Sequence, residues 1–95
     1  MRYEWDEAKS EANLLERGFD FAFAALVFDE RIIVVADNRR DYGEARFVAV
    51  GRADGLHLTV VFTDREDSTG ELVRRIISAR RSSRRERQTY DEATS

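Results

Sequence analysis

The stretch "RRIISARRSSRRER", residues 74–87, carries seven arginines (Arg74, Arg75, Arg80, Arg81, Arg84, Arg85 and Arg87) against one acid, Glu86. The whole chain has a formal charge of −3, so a local charge of +6 here leaves −9 on the remainder. Fifteen of the sixteen basic residues are arginine, and Lys9 is the only lysine. A guanidinium offers a planar fork of donors that matches phosphate or carboxylate oxygens, where an ammonium offers a point charge. Strict alternation along this segment puts Arg75 between Val73 and Ile77 on one face, with Ala79 and Arg81. A cation among apolar neighbours is costly without a partner or ligand. The same alternation puts Arg80 on the other face, with Arg74, Ile76 and Ser78. In "EARFVAVGR", Arg46 shares a face with Glu44, Val48 and Val50, and Arg65 stands just past the end of "VVFT". Several arginines therefore converge on one sheet edge or concave face.

The tail adds a second anion-ready feature. Ser83 and Glu86 have capping-box spacing, so a helix should begin there and run to about Glu92. Arg84 and Arg85 fall in its first turn, where the helix dipole disfavours cations by roughly 0.3–1 kcal/mol each. A bound anion reverses that penalty, because free N–H groups and guanidinium groups then meet on it.

If the anion is RNA, a metal-free route is open in which a 2′-OH attacks the adjacent phosphate. The reaction needs a base, cations for the charge developing on phosphorus, and an acid for the leaving 5′-oxygen. Arginine fills the second role, but it stays protonated and fills the others poorly. Glu44, Glu86, Lys9, His57 and Tyr90 are the residues to weigh as proton carriers. The plain alternatives are arginines that pair with the many acids to solubilise a surface, or that receive an acidic protein partner.

These side chains need a scaffold, and the hydrophobic pattern describes one. "RYEW" reads as a short opening strand. Asp6 can cap a helix with Trp5, Ala8, Ala12 and Leu15 at three-four-three spacing, stopped by Gly18. A second helix follows from Asp20, with Phe21, Ala24, Ala25 and Phe28 on one face. The pattern then changes period: "RIIVVAD", "EARFVAVGR", "LHLTVVFT" and "LVRRIISA" are β-branched runs separated by the polar turns "NRRDYG", "ADG" and "DREDSTGE". The expected fold is α+β: two N-terminal helices, an antiparallel sheet of about four main strands with the helices on one side, and a C-terminal helix. The run at 72–77 points to a central last strand covered on both faces.

Composition limits the rest. A length of 95 residues fits one domain spanning 1–95, and 42% hydrophobic residues with ten aromatics can form its core. Without cysteine there is neither a disulfide nor a thiolate metal site, and a reducing cytoplasm is the expected compartment. No metal cluster or cofactor motif is visible. No apolar run reaches membrane-spanning length, and the N-terminus lacks a signal peptide's apolar centre. Direct DNA binding by this chain is disfavoured by its negative charge and by the lack of a helix-turn-helix pattern.

"YEWDEAKSEANLLERGFDFAFAALVF", "DNRRDYGEARFVAVGR" and "RRIISARRSSRRERQTY" together resemble the BrnT family of bacterial toxins, from Tyr3 to about Tyr90. The resemblance implies a RelE-like fold and a ribonuclease activity that stops translation. It also implies neutralisation by a cognate BrnA-type antitoxin, in a heterotetramer that represses its own promoter through the antitoxin's ribbon-helix-helix part. The family's "R-I-I-S-A-R" falls on Arg75 to Arg80, its strand arginine after "GE" on Arg46, and its later loop arginine on Arg65. The expected catalytic set is Arg46, Arg65, Arg75, Arg80 and Tyr90, with Arg81, Arg84, Arg85 and Lys9 contacting RNA, and no metal or cofactor. Two departures stand out. Glu16-Arg17 replaces the family's usual Lys-His pair before the first helix's terminal glycine, and the loop "DREDSTGE" is longer than usual. A different class remains open: a non-catalytic antitoxin-binding module or decayed toxin.

Overall fold

A computed structural model describes residues 1–95. The elements in order are β1 (Arg2–Trp5), α1 (Glu7–Arg17), α2 (Phe21–Ala24), a 3₁₀ helix (Ala25–Asp29), β2 (Ile33–Ala36), β3 (Phe47–Ala53), β4 (Leu56–Glu66), β5 (Leu72–Arg81) and α3 (Arg84–Thr94). The five strands form one sheet in the order β1-β5-β4-β3-β2. From β2 to β5 they are an antiparallel meander, as the turn spacing indicated. The opening strand β1 is a fifth member and pairs with β5 in parallel, which makes the sheet mixed rather than purely antiparallel.

The meander's inner face carries Ala49, Ala53, Leu58, Val60, Phe62, Ile76 and Ala79, all buried. α2 and the 3₁₀ helix cover it. The expected single second helix divides here, because four α-helical residues give way to five in 3₁₀ form. At three residues per turn, Ala24 and Val27 stand one above the other, and both are fully buried. Gly51 makes this approach possible, since a Cβ there would lie 2.9 Å from Ile32 Cγ2 and 3.1 Å from Val27 Cβ.

α1 has the expected ends. The Asp6 carboxylate accepts from the Ala8 and Lys9 N–H groups at 2.9 and 3.2 Å, and Gly18 closes the helix at φ +87°. Its buried face is a correction to the apolar spacing. Ala8 and Ala12 are exposed, Leu15 is 87% exposed, and the residues turned inward are Ser10 and Asn13. Their bonds explain the reversal. Ser10 Oγ accepts from Phe21 N–H at 3.0 Å and Asn13 Nδ2 donates to the Phe19 carbonyl at 2.9 Å, so α1 holds the turn into α2 through polar groups. At its end Arg17 donates to the Ala79 carbonyl at 2.6 Å, on the part of β5 beyond the last residue paired by β1. The arginine of the unusual Glu16-Arg17 pair thus ties α1 to the sheet edge.

α3 does not join the other helices. The capping box is present, with Glu86 N–H on Ser83 Oγ and Ser83 N–H on the Glu86 carboxylate. Beyond it the helix lies over the opposite face of the sheet. Its Tyr90 ring meets the His57 ring edge-on at 5.6 Å, and Glu86 and Thr89 border a hollow floored by Val48 and Val50. A helix therefore covers the outer face at one end only, although Thr63 and Val73 toward the other end are also buried. β5 is flanked by β1 and β4 but is not covered on both faces, and Ser78 and Arg80 are exposed. No helix is long and apolar enough to cross a membrane.

Candidate active site

The site is set by one irregularity in β5. Phe62 pairs with Ile76 while Val61 pairs with Ser78, which leaves Ile77 as an extra residue on β5. A bulge of this kind resets the alternation of every side chain after it. Ile76 and Ala79, three apart, consequently share the buried core. On the other side Arg75 stands across from Thr63, Ser78 across from Val61 and Arg80 across from Thr59. Strict alternation had separated Arg75 from Arg80. The bulge puts them on one face and sends Arg81 to the other.

The open face collects further cations from neighbouring strands. Arg65 lies within β4, two residues from Thr63, and not in a loop, because β4 runs on to Glu66. The turn from β4 to β5 is consequently only residues 67–71, shorter than "DREDSTGE" implied. It is closed by Asp67, which accepts from Thr69 N–H, Thr69 Oγ1 and Glu71 N–H, with Gly70 at φ +82°. Bonding to Thr69 lowers the Asp67 pKa. Arg46 enters from the residue before β3.

Each of the four open-face arginines has a carboxylate within reach. Arg65 forks onto Glu4 at 3.1 and 3.0 Å, and Arg75 Nη1 lies 3.8 Å from the same carboxylate. Arg46 Nε donates to Glu44 at 3.0 Å. Arg80 forks onto Glu86 at 2.7 and 2.9 Å. The hydrogen bonds from Arg80 pull the Glu86 pKa down to about 2, and the same pairing raises that of Arg80. Arg74 is different: it sits on the inner face, forked onto Asp64 at 2.8 and 2.9 Å, with its guanidinium over the Phe28 and Phe62 rings.

At the foot of this face, Asp6, Lys9, Glu44, Arg46 and Arg75 line a polar hollow of about 220 Å³. It brings three cations and two carboxylates together from α1, β5 and the loop before β3. That combination can hold a phosphate and offers groups able to accept and donate protons. A second hollow of about 360 Å³ has an apolar floor of Ile33, Val35, Val48 and Val50 and is walled by Arg80, Arg85 and Glu86. No three His, Asp or Glu side chains gather as a metal-binding group.

The structure thus brings Arg46, Arg65, Arg75 and Arg80 onto one face, with Lys9 at one end and Arg85 at the other. Arg84 is exposed in the first turn of α3. Arg81 is not part of this face and borders Leu14, Phe19, Phe23 and Leu56 on the helix side. Tyr90 also stands apart, because it is buried and its hydroxyl donates to the Arg31 carbonyl at 2.8 Å. His57 is engaged by Asp91, with Nε2 3.0 Å from Oδ1. Sequence reasoning missed Glu4, the carboxylate between Arg65 and Arg75. Its alternation in "RYEW" was visible, but its neighbours depend on a parallel pairing made some seventy residues away.

A protein-family model described as "Ribonuclease toxin, BrnT, of type II toxin-antitoxin system" matches residues 5–86. A search of curated proteins found no match.

Proposed function

Because the chain belongs to the BrnT family, the ribonuclease toxins of type II toxin–antitoxin systems, we propose that it is a metal-independent endoribonuclease that inhibits translation. The carrying observation is the β5 bulge, which puts Arg75 and Arg80 on one face with Arg46 and Arg65. In this reading residues 1–95 act as a single toxin unit. The RNA phosphate sits on Arg46, Arg75 and Lys9, while Arg65 and Arg80 hold the strand on either side of it. The 2′-OH attacks phosphorus and the P–O5′ bond breaks, leaving a 2′,3′-cyclic phosphate on one product and a 5′-OH on the other. Glu44 takes the 2′-OH proton and Lys9 gives a proton to the departing 5′-oxygen. The arginines and Lys9 stabilise the dianionic charge as it develops, the task a fixed cation performs most effectively.

The family also implies an antitoxin partner. We assign a BrnA-type antitoxin to the open face, within a heterotetramer that binds promoter DNA through the antitoxin. A second reading draws on a specific observation: Glu4 and Glu86 already occupy the forks of Arg65 and Arg80, and Glu44 bonds Arg46, so these arginines fit carboxylates as well as phosphates. An antitoxin-docking module without catalysis would use the same fit. Turnover separates the two. RNA in large excess over protein should yield many cleavage events per molecule, with cyclic-phosphate ends, whereas a docking module yields none.

A further inference from the structure

A separate hollow of about 360 Å³ on the open face includes Arg40, Tyr42, Arg46, Val61, Ile77 and Ser78. Tyr42 is the only aromatic residue in it. The Arg46 Cζ lies 4.1 Å from the Tyr42 ring centroid and the Arg40 Cζ lies 5.0 Å from it. Arg46 and Ile77 also line the polar hollow that holds Lys9 and Arg75. The two hollows therefore share a guanidinium and the bulged isoleucine, and they adjoin.

The loop that carries Tyr42 is built to hold position. Asp37 is buried and receives two bonds from the Arg39 guanidinium, both at 2.8 Å, and a third from the Arg39 N–H at 3.3 Å, while its own N–H donates to the Arg46 carbonyl. Asp41 accepts from Gly43 N–H at 2.8 Å, and Gly43 sits at φ +74°. The loop's ends are thus joined across Asp37 and Arg46, with Tyr42 between them.

The geometry points to a nucleobase subsite: the Tyr42 ring, flanked by Arg40 and Arg46 over Val61 and Ile77, stacks the base of the nucleotide whose phosphate sits on Arg46, Lys9 and Arg75. An aromatic ring beside guanidinium planes binds single-stranded RNA by stacking, with little demand for a particular base. Arg40 is exposed, so its guanidinium, 5.0 Å from the ring centroid, gives way to the incoming base. This assignment rests on the ribonuclease reading and specifies which part of the substrate meets which part of the face.

The test uses the full chain and a non-cleavable 2′-O-methyl oligonucleotide of about eight nucleotides, scanned with single abasic positions. In the unsubstituted protein one abasic position should weaken binding roughly tenfold, the scale of one lost stacked base. Tyr42→Leu, which keeps apolar bulk without a ring, should weaken the intact oligonucleotide similarly and should abolish the penalty at that position. Tyr42→Phe should behave as the unsubstituted protein does. Equal penalties at every abasic position, or a Tyr42→Leu protein that still shows the position-specific penalty, overturns the subsite and leaves the ribonuclease reading standing. No RNA binding by the unsubstituted protein overturns both.

Discussion

Glu86 accepts two hydrogen bonds from Arg80, at 2.7 and 2.9 Å, and a third from the Ser83 N–H at 2.7 Å. One carboxylate thus closes the cap of α3 and holds an arginine of the open face. The first prediction follows from its lowered pKa of about 2, set chiefly by the bonds from Arg80. An ordinary glutamate titrates near 4.3, so the folded protein holds the ionised form more tightly than the unfolded chain does. The stabilisation is complete above the unfolded value and disappears as pH falls toward about 2. Glu86→Gln should cost about 1 kcal/mol at neutral pH, a modest value because the pair is partly screened by water. Thermal melts of both proteins from pH 7 to pH 2 should converge at the acid end, and a gap independent of pH contradicts this.

Arg74 and Arg75 adjoin in sequence and face opposite ways. Arg74 is packed over the Phe28 and Phe62 rings and forked onto Asp64. Arg75 has only the 3.8 Å approach to Glu4. Arg74→Ala should therefore lower stability by roughly 2–4 kcal/mol, as loss of a half-buried pair strands Asp64 and opens the packing. Arg75→Ala should change stability by less than about 1 kcal/mol. Denaturant unfolding of the two variants makes the comparison directly.

The legible part of the sequence was the meander, the α3 cap, Gly18 and the arginine-rich character of one face. Those features rest on local chemistry: β-branched runs between turns, a Ser-x-x-Glu pair, and charge. The misread parts depend on tertiary pairing. The apolar spacing of Ala8, Ala12 and Leu15 gave the wrong buried face for α1, because Ser10 and Asn13 bond the backbone of a turn that does not exist until α2 docks. The bulge at Ile77 is invisible in "RRIISAR", where strict alternation is the default, and it changes which arginines meet. Tyr90, weighed as a proton carrier on a last helix of mostly charged and polar residues, proved to be that helix's anchor, buried with its hydroxyl on the Arg31 carbonyl.

That account of α1 gives a third prediction. Ser10→Ala and Asn13→Ala should each cost about 1–3 kcal/mol, since each leaves a buried backbone group of the α1–α2 turn without its partner. Leu15→Glu, at a residue 87% exposed, should cost almost nothing. Urea unfolding should place both Ser10→Ala and Asn13→Ala well below Leu15→Glu in stability, and a large loss in Leu15→Glu contradicts the orientation of α1.

Gly51→Ala supplies a fourth. The added Cβ would meet Ile32 Cγ2 at 2.9 Å and Val27 Cβ at 3.1 Å, so the Ile32 side chain must move and the 3₁₀ helix must give way slightly. A loss of roughly 1–3 kcal/mol is expected from such overpacking. The measurement is a thermal melt, and an unchanged midpoint would show that the helix is not seated on β3 as described.

In the function proposed above, the open-face arginines form a ribonuclease site that needs no metal. Its most direct test is cleavage of RNA by the purified, antitoxin-free protein in excess EDTA, beside Arg75→Ala. Arg75 is the most informative choice because its removal should leave the fold intact. The account predicts sustained cleavage by the unsubstituted protein in chelator and a loss of about 10²-fold or more in the variant, the scale of removing one transition-state donor. Cleavage that stops on chelation, or a folded Arg75→Ala that cleaves at the full rate, contradicts it.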